Sequence, residues 1–327
     1  MAFPRLTTII VILACWLGGG PMALAAPLPL LLQQTRFITY TPRSFKVMGT
    51  TITAATEAGI RDDLRVIRPL FSGLITYSCV NGQERIPAIA QELGFRAIII
   101  GVWDPRSRVE IDNAIRVAKR YPVLVTAVIV GNEGIFTKRY RPDEVKQAMA
   151  RIKGECPNLA VTTSEPFSLY FQQEYADFFQ AHDLLMPNIH PLFEPWFKPE
   201  EPEQGVMMVV NVAARFKESY HLPLLIKETG MPSGPTGRSG YSQKRQALFW
   251  SELYKRFPFA PFRAFACFEA FDTPWKPAAM AVDFPGDHAS EAFWGFFTAT
   301  GEAKEVVNAV NTAHNFLRPA GALDKSR

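Results

Sequence analysis

From residue 37 onward, short runs of β-branched and apolar residues alternate with longer amphipathic stretches, the signature of repeated βα units around a parallel sheet. RFITYT (36–41) reads as a first strand, and Ile60, Leu64 and Ile67 follow it at helical spacing. SGLITYS (72–78) is the second, with Ile86, Ile89, Ala90 and Leu93 on one face of the next helix and Gly94 as its stop. FRAIIIGVW (95–103) is the third, and Ile111, Ala114, Ile115 and Ala118 mark the helix behind it. VLVTAVIVGNEG (123–134) is the fourth; its helix starts at Pro142 with Asp143 and Glu144 in the first turn, where a fixed φ and negative charge both suit a helix N-terminus. LAVTTSE (159–165), LLMPNIH (184–190), PLLIKE (223–228) and RAFACFEAF (263–271) supply strands five to eight. Apolar helical faces fall at 171–181, 206–220, 243–257 and 303–316.

Eight strand signals, each followed by a helix signal, fit a closed (β/α)8 TIM barrel better than an open doubly wound sheet. The strands read as continuous apolar runs because both faces of such a sheet are covered. No glycine-rich phosphate loop follows the first strand, which removes the main reason to expect a dinucleotide fold. Length alone leaves one large domain or two small ones open, and the pattern favours a single barrel over residues 27–318, with a tail at 319–327.

The start of the chain is set aside from the fold. Arg5 precedes an uncharged run over residues 6–20, and Ala23, Leu24 and Ala25 supply small residues suited to cleavage, so residues 1–26 read as a signal peptide. A retained membrane anchor is the rival reading, although the run is short against the ~20 residues a span needs. Export to the periplasm or the extracellular space is the expectation. Cys79, Cys156 and Cys267 then remain, an odd number without a CxxC or Cys/His cluster, so neither a disulfide scaffold nor a metal site is expected. A net charge of +4, with no concentrated basic run, gives nucleic acid no support as a partner. Nothing calls for a cofactor, and oligomeric state stays open.

The C-terminal strand ends of such a barrel converge on one mouth, where function sits. Glu133 and Glu228 end strands four and seven, far apart along the chain yet able to face a common cleft. Two carboxyl groups ~5 to 5.5 Å apart are what retaining glycoside hydrolysis requires, one attacking the anomeric carbon and the other handling the proton. Each glutamate taken alone is weak evidence, since most are solvated or cap a helix. Their joint placement carries the reading.

VIVGNE (128–133) and KETGMPSG (227–234) resemble the acid/base and nucleophile signatures of glycoside hydrolase family 17, the β-1,3-glucanases and glucanosyltransferases. FSGLITYS (71–78), TTSEPF (162–167), NIHP (188–191), FEAFDTPWK (268–276) and FWGFF (293–297) extend the likeness, in order, toward its bacterial branch. The resemblance implies Glu133 as general acid/base, Glu228 as nucleophile, and Asn132 as a hydrogen-bond partner of the sugar 2-hydroxyl. Tyr77 is expected to contact the nucleophile or the sugar, His190 to orient a carboxylate, and Glu165 to accept bonds from sugar hydroxyls; core packing, loop support and a Lys or Arg partner are their respective alternatives. Trp103 and Trp275 are expected to stack on pyranose faces, and Trp294 to pack in its loop. Two departures stand out. The family often has Trp at the position of Met231, where a softer thioether platform is expected, and Arg at that of Ile75.

The implied activity is a retaining glycosidase on β-1,3-glucan, by hydrolysis or transglycosylation, with Phe193, Trp196 and Phe197 compatible with an acceptor site or with a packed loop. The competing class is a β-glucan-binding envelope protein without turnover, which would have no use for a nucleophile.

Overall fold

The computed structural model describes residues 28–237, 240–283 and 286–317; the apolar N-terminal run and the tail lie outside them. Seven parallel strands form one curled sheet: β1 (Phe37–Thr39), β2 (Gly73–Ile75), β3 (Ala97–Val102), β4 (Val125–Asn132), β5 (Ala160–Ser164), β6 (Leu224–Ile226) and β7 (Arg263–Cys267). Their order is β5-β4-β3-β2-β1-β7-β6. The register pairs Ile38 with Leu74, Leu74 with Ile98, and Ile226 with Phe265.

The expected sixth strand lies in the gap between β5 and β6 and pairs only at Leu185 and Asn188. Leu185 donates to Pro223 O (2.8 Å) and accepts from Leu225 N (2.9 Å), while Phe167 N donates to Asn188 O (2.9 Å). Pro187 has no N–H and contributes only its carbonyl, to Lys227 N at 2.9 Å. The barrel therefore closes through an irregular segment, and that segment carries Asn188 and His190.

Alternation along each strand divides the core in two. Ile38, Leu74, Ile98, Ile100, Val128, Val130 and Ile226 pack outward in the cluster shared with the helices, whereas Phe37, Ile75, Ala97, Ile99, Ala127, Ile129, Leu225 and Ala264 fill the barrel interior. A helix not foreseen in the sequence, Leu28–Gln34, contributes Leu31 and Leu32 to the interior cluster. A small exposed hairpin, Lys46–Met48 with Thr51–Thr53, stands in the loop after β1.

The surrounding helices follow their sequence signals. Thr56, Ser107 and Ser242 cap helices Glu57–Ile67, Arg108–Arg120 and Gln243–Arg256 by accepting backbone N–H bonds of 3.1 to 3.3 Å, worth about 1 kcal/mol each. Pro142–Glu155 starts at the expected proline, and Pro202–Ser219 and Glu305–Leu317 lie close to their predicted spans. The helix expected over 171–181 is instead three short turns, Phe167–Tyr170, Gln173–Tyr175 and Ala176–Gln180, held by Tyr170 stacked on Phe179. Among the described residues no helix is long and apolar enough to cross a membrane.

Candidate active site

At the end of β4 the chain turns sharply: Gly131 has φ 85° and Glu133 φ 54°. Left-handed geometry is unfavourable for a glutamate and survives only where its surroundings over-determine it. They do so here. Glu133 N donates to Ser164 O (2.8 Å), and the Glu133 carbonyl accepts from Thr137 N (3.0 Å) and Thr137 Oγ1 (2.6 Å). The Tyr140 ring lies against the turn, its hydroxyl accepting from Gly134 N at 3.1 Å. A Cβ at Gly131 or Gly134 would fall 2.1 or 1.9 Å from Tyr140 atoms, so only glycine fits either position. Arg139 bonds the Asn132 carbonyl and lies 4.5 Å over the Trp103 ring.

Glu228, just past β6, is almost fully buried and has three side-chain partners. Oε1 accepts from Tyr77 Oη (3.0 Å) and Lys227 Nζ (2.8 Å), and Oε2 lies 3.3 Å from His190 Nε2. Lys227 Nζ also donates to Asn132 Oδ1 at 2.6 Å. Asn188 Nδ2 donates to the same Asn132 oxygen (3.2 Å) and to Glu133 Oε1 (2.8 Å), while its own oxygen accepts from Ser164 Oγ (3.0 Å). An unbroken run of bonds thus joins the two carboxylates through Asn188, Asn132 and Lys227.

Their proton affinities are pushed apart. Burial alone would raise the Glu228 carboxyl, but the Lys227 ammonium and the His190 contact outweigh it and hold the group well below the usual carboxylate range. Glu133 moves up, through burial first and the negative charge of Glu228 second, with the Asn188 bond opposing. Burial and the same charge push the Tyr77 hydroxyl up, so it remains a donor. One carboxylate is kept charged and the other is biased toward its acid form, the division that acid/base and nucleophilic roles require.

Of the residues singled out in the sequence, Tyr77, Asn132, Glu133, His190 and Glu228 meet in this network. Glu165 does not. It is fully buried and accepts backbone bonds from Ile135 N (3.0 Å) and Phe136 N (3.1 Å), so it props the loop behind Glu133 rather than facing a sugar. Burial, partly offset by those N–H groups, pushes its carboxyl up to about 7. Trp103 is 43% exposed beside Arg139. Trp275 meets Phe45 edge-on at 5.8 Å and lines a cleft with Arg43, Lys46 and Phe271, whose lining includes neither carboxylate. Trp294 is fully buried and packs against His190 and Phe268, both at 5.2 Å. Met231 is fully buried in the outer core, which corrects the expected thioether platform. Ile75 belongs to the barrel interior.

Three elements of the site went unassigned in the sequence: Lys227, Asn188, and a buried group in which Glu269 pairs with Lys276 (3.2 Å) and Lys276 lies 3.7 Å from Glu291. Burial pushes Glu269 up to about 7 despite Lys276. The available signal was a charged residue inside an apolar strand, which must find a partner when buried. Among the described residues no group of three or more His, Cys, Asp or Glu is arranged to hold a metal ion.

A (β/α)8 barrel with two carboxylates of opposed proton affinity at its mouth has the architecture of a glycoside hydrolase. The BtgE/BtgC glycoside hydrolase domain matches residues 38–295, and the chain belongs to that family. It is 20% identical over 263 residues to a glucan 1,3-beta-glucosidase of Arthroderma benhamiae, covering 76% of this chain and 83% of that protein. An endo-laminarinase from Formosa shares the fold at TM-score 0.69 and 19% identity, over 88% of this chain and 90% of the other. A family 17 β-1,3-glucanosyltransferase from Rhizomucor miehei does so at TM-score 0.62 and 18% identity, over 85% and 98%. The sequence resemblance to family 17 agrees with these neighbours.

Proposed function

We propose that the protein acts on β-1,3-linked glucan as a retaining enzyme, with Glu228 as nucleophile and Glu133 as acid/base. The observation that carries this reading is the bonded run from Glu133 to Glu228, with the two proton affinities driven in opposite directions. The linkage is taken from relatives whose names specify β-1,3-glucan or laminarin.

In this mechanism Glu228 attacks the anomeric carbon as Glu133 gives its proton to the departing oxygen, leaving a glycosyl ester on Glu228 and an ionised Glu133. Glu133 then takes a proton from the incoming hydroxyl as that oxygen displaces the ester, restoring both groups. Water as the incoming group gives hydrolysis; a sugar hydroxyl gives transfer. Asn132 holds the 2-hydroxyl of the ring being cleaved, an interaction that tightens as the ring flattens. Trp103, exposed beside Arg139, and Trp275, in the neighbouring cleft, offer stacking surface, and no step calls on a cofactor. Residues 1–26 are read as the export signal, placing the enzyme in the periplasm or outside the cell.

Incubation of the purified protein with β-1,3-gluco-oligosaccharides, followed by mass analysis, tests the reading. Shorter chains mean hydrolysis and chains longer than the donor mean transfer. An unchanged substrate that still binds would turn the assignment toward a glucan-binding protein. Glu228→Gln is expected to abolish both activities while retaining the fold and much of the affinity, and normal turnover by that variant would remove Glu228 from its role.

A further inference from the structure

Lys227 is a lysine with 1% exposure at the end of an apolar strand, directly preceding the residue read as nucleophile. Burial pulls the proton affinity of Lys227 down, and the charge of Glu228 beside it opposes that; an ammonium there is costly unless each donor is matched, and each of its three N–H groups has a target. One goes to Glu228 Oε1 at 2.8 Å, one to Asn132 Oδ1 at 2.6 Å, and the Tyr77 ring centroid lies 4.3 Å from Nζ. Two consequences follow from the geometry. Glu228 Oε1 is occupied by Lys227 and Tyr77, which leaves Oε2, with only the longer His190 contact, as the oxygen with a lone pair to spare. Asn132 Oδ1 accepts from both Lys227 and Asn188, which fixes the sense of that amide and keeps its NH2 group as the donor.

We propose that Lys227 is a positioning residue for the reaction: it holds Glu228 as a carboxylate with Oε2 free to attack, and it fixes the Asn132 amide as a donor to the sugar 2-hydroxyl. The inference rests on the nucleophile reading of Glu228. Charge at Glu228 is set by groups from several elements: Tyr77 after β2, Glu133 after β4, His190 on the closing segment, and Glu269 and Lys276 after β7. Of the cations, Lys227 has a direct bond to the carboxylate and is also bonded to Asn132.

The test compares wild type with Lys227→Met, a near-isosteric uncharged chain, and Lys227→Gln as a second neutral variant. kcat/KM is measured against pH on an aryl β-laminaribioside and on its counterpart lacking the 2-hydroxyl of the ring being cleaved. In the wild type the acidic limb is expected below the ordinary glutamate value of ~4.3. In both variants it is expected to rise by roughly 1 to 3 pH units, the range an adjacent opposite charge commands. The penalty for losing the 2-hydroxyl, large in wild type, is expected to shrink in Lys227→Met because the Asn132 contact is already impaired. A uniform fall in rate with the acidic limb and the 2-hydroxyl penalty unchanged would reduce Lys227 to a structural support. A wild-type limb at or above ~4.3 would overturn the proposal without recourse to any variant. Glu228→Gln run alongside separates the two readings: activity there removes the nucleophile, whereas silence there with an unmoved limb in Lys227→Met removes only the role of Lys227.

Discussion

Glu133 carries the sharpest residue-scale consequence, because the structure gives it both a reason to keep its proton and a device that limits how far. Burial and the charge of Glu228 raise its proton affinity, and Asn188 Nδ2, donating to Oε1 at 2.8 Å, pulls it back down. In the proposed acid role Glu133 works while protonated, so activity is expected to fall as pH climbs through its raised value. Asn188→Ala removes a donor that favours the ionised form, so the basic limb of kcat/KM is expected to move to higher pH even as the rate drops; a limb that stays or moves down would contradict this. Glu133→Ala is expected to lose about 10²- to 10⁴-fold on natural oligosaccharides, the usual worth of proton transfer, and far less on an aryl donor whose leaving group departs unaided. Equal damage on both donors would count against the acid role. The two glutamates were legible in the sequence because each ends a strand. Lys227 and Asn188 were not, since Asn132, the partner they share, lies on another strand and only the barrel's curvature brings it within reach. Glu165 sits at a strand end like Glu133, but its carboxylate turns to the backbone of the loop at Ile135 and Phe136, a direction no linear pattern encodes.

The turn after β4 is the element on which this geometry depends, and it is built from two glycines, one tyrosine ring and one buried carboxylate. Gly134→Ala puts a methyl group 1.9 Å from the Tyr140 ring, and overpacking of that kind costs about 1–3 kcal/mol. A thermal melt should register it, together with a loss of activity that exceeds the loss of folded protein. Glu165→Gln replaces one accepting oxygen with an NH2 group facing a backbone N–H, at a cost of about 1–3 kcal/mol for the unmatched donors. Activity is expected to suffer through Glu133, two residues from Ile135, and an unaltered enzyme would show that the loop holds itself. The sequence read this stretch as a strand ending in a carboxylate, which is right, but gave no sign of the left-handed Glu133. The closing segment was read as a regular strand because its side chains are apolar; Pro187 and the sparse pairing on either side of it make it irregular. The exposed hairpin at 46–53 is built of two three-residue strands, too short to show a period in the hydrophobic pattern.

At the scale of the whole molecule, strand count and the alternation of burial were legible because a barrel covers both faces of every strand, and the continuous apolar runs say so. The plug at its base was not. Leu28–Gln34 is too short to show a period, yet Leu32 is 1% exposed within the interior cluster. Leu32→Ala is expected to cost about 2–5 kcal/mol, read as a lower urea midpoint, because it leaves a cavity in the interior cluster. The three cysteines of the described chain are unpaired, and burial raises the thiols of Cys79 and Cys267, the latter to about 12. The described barrel borrows nothing from sulfur–sulfur bonds, so its stability is indifferent to the redox state on either side of a membrane. It should reach the same fold in a reducing cytosol as in an oxidising envelope, and an alkylating reagent applied to the native barrel should find Cys156 well before the other two.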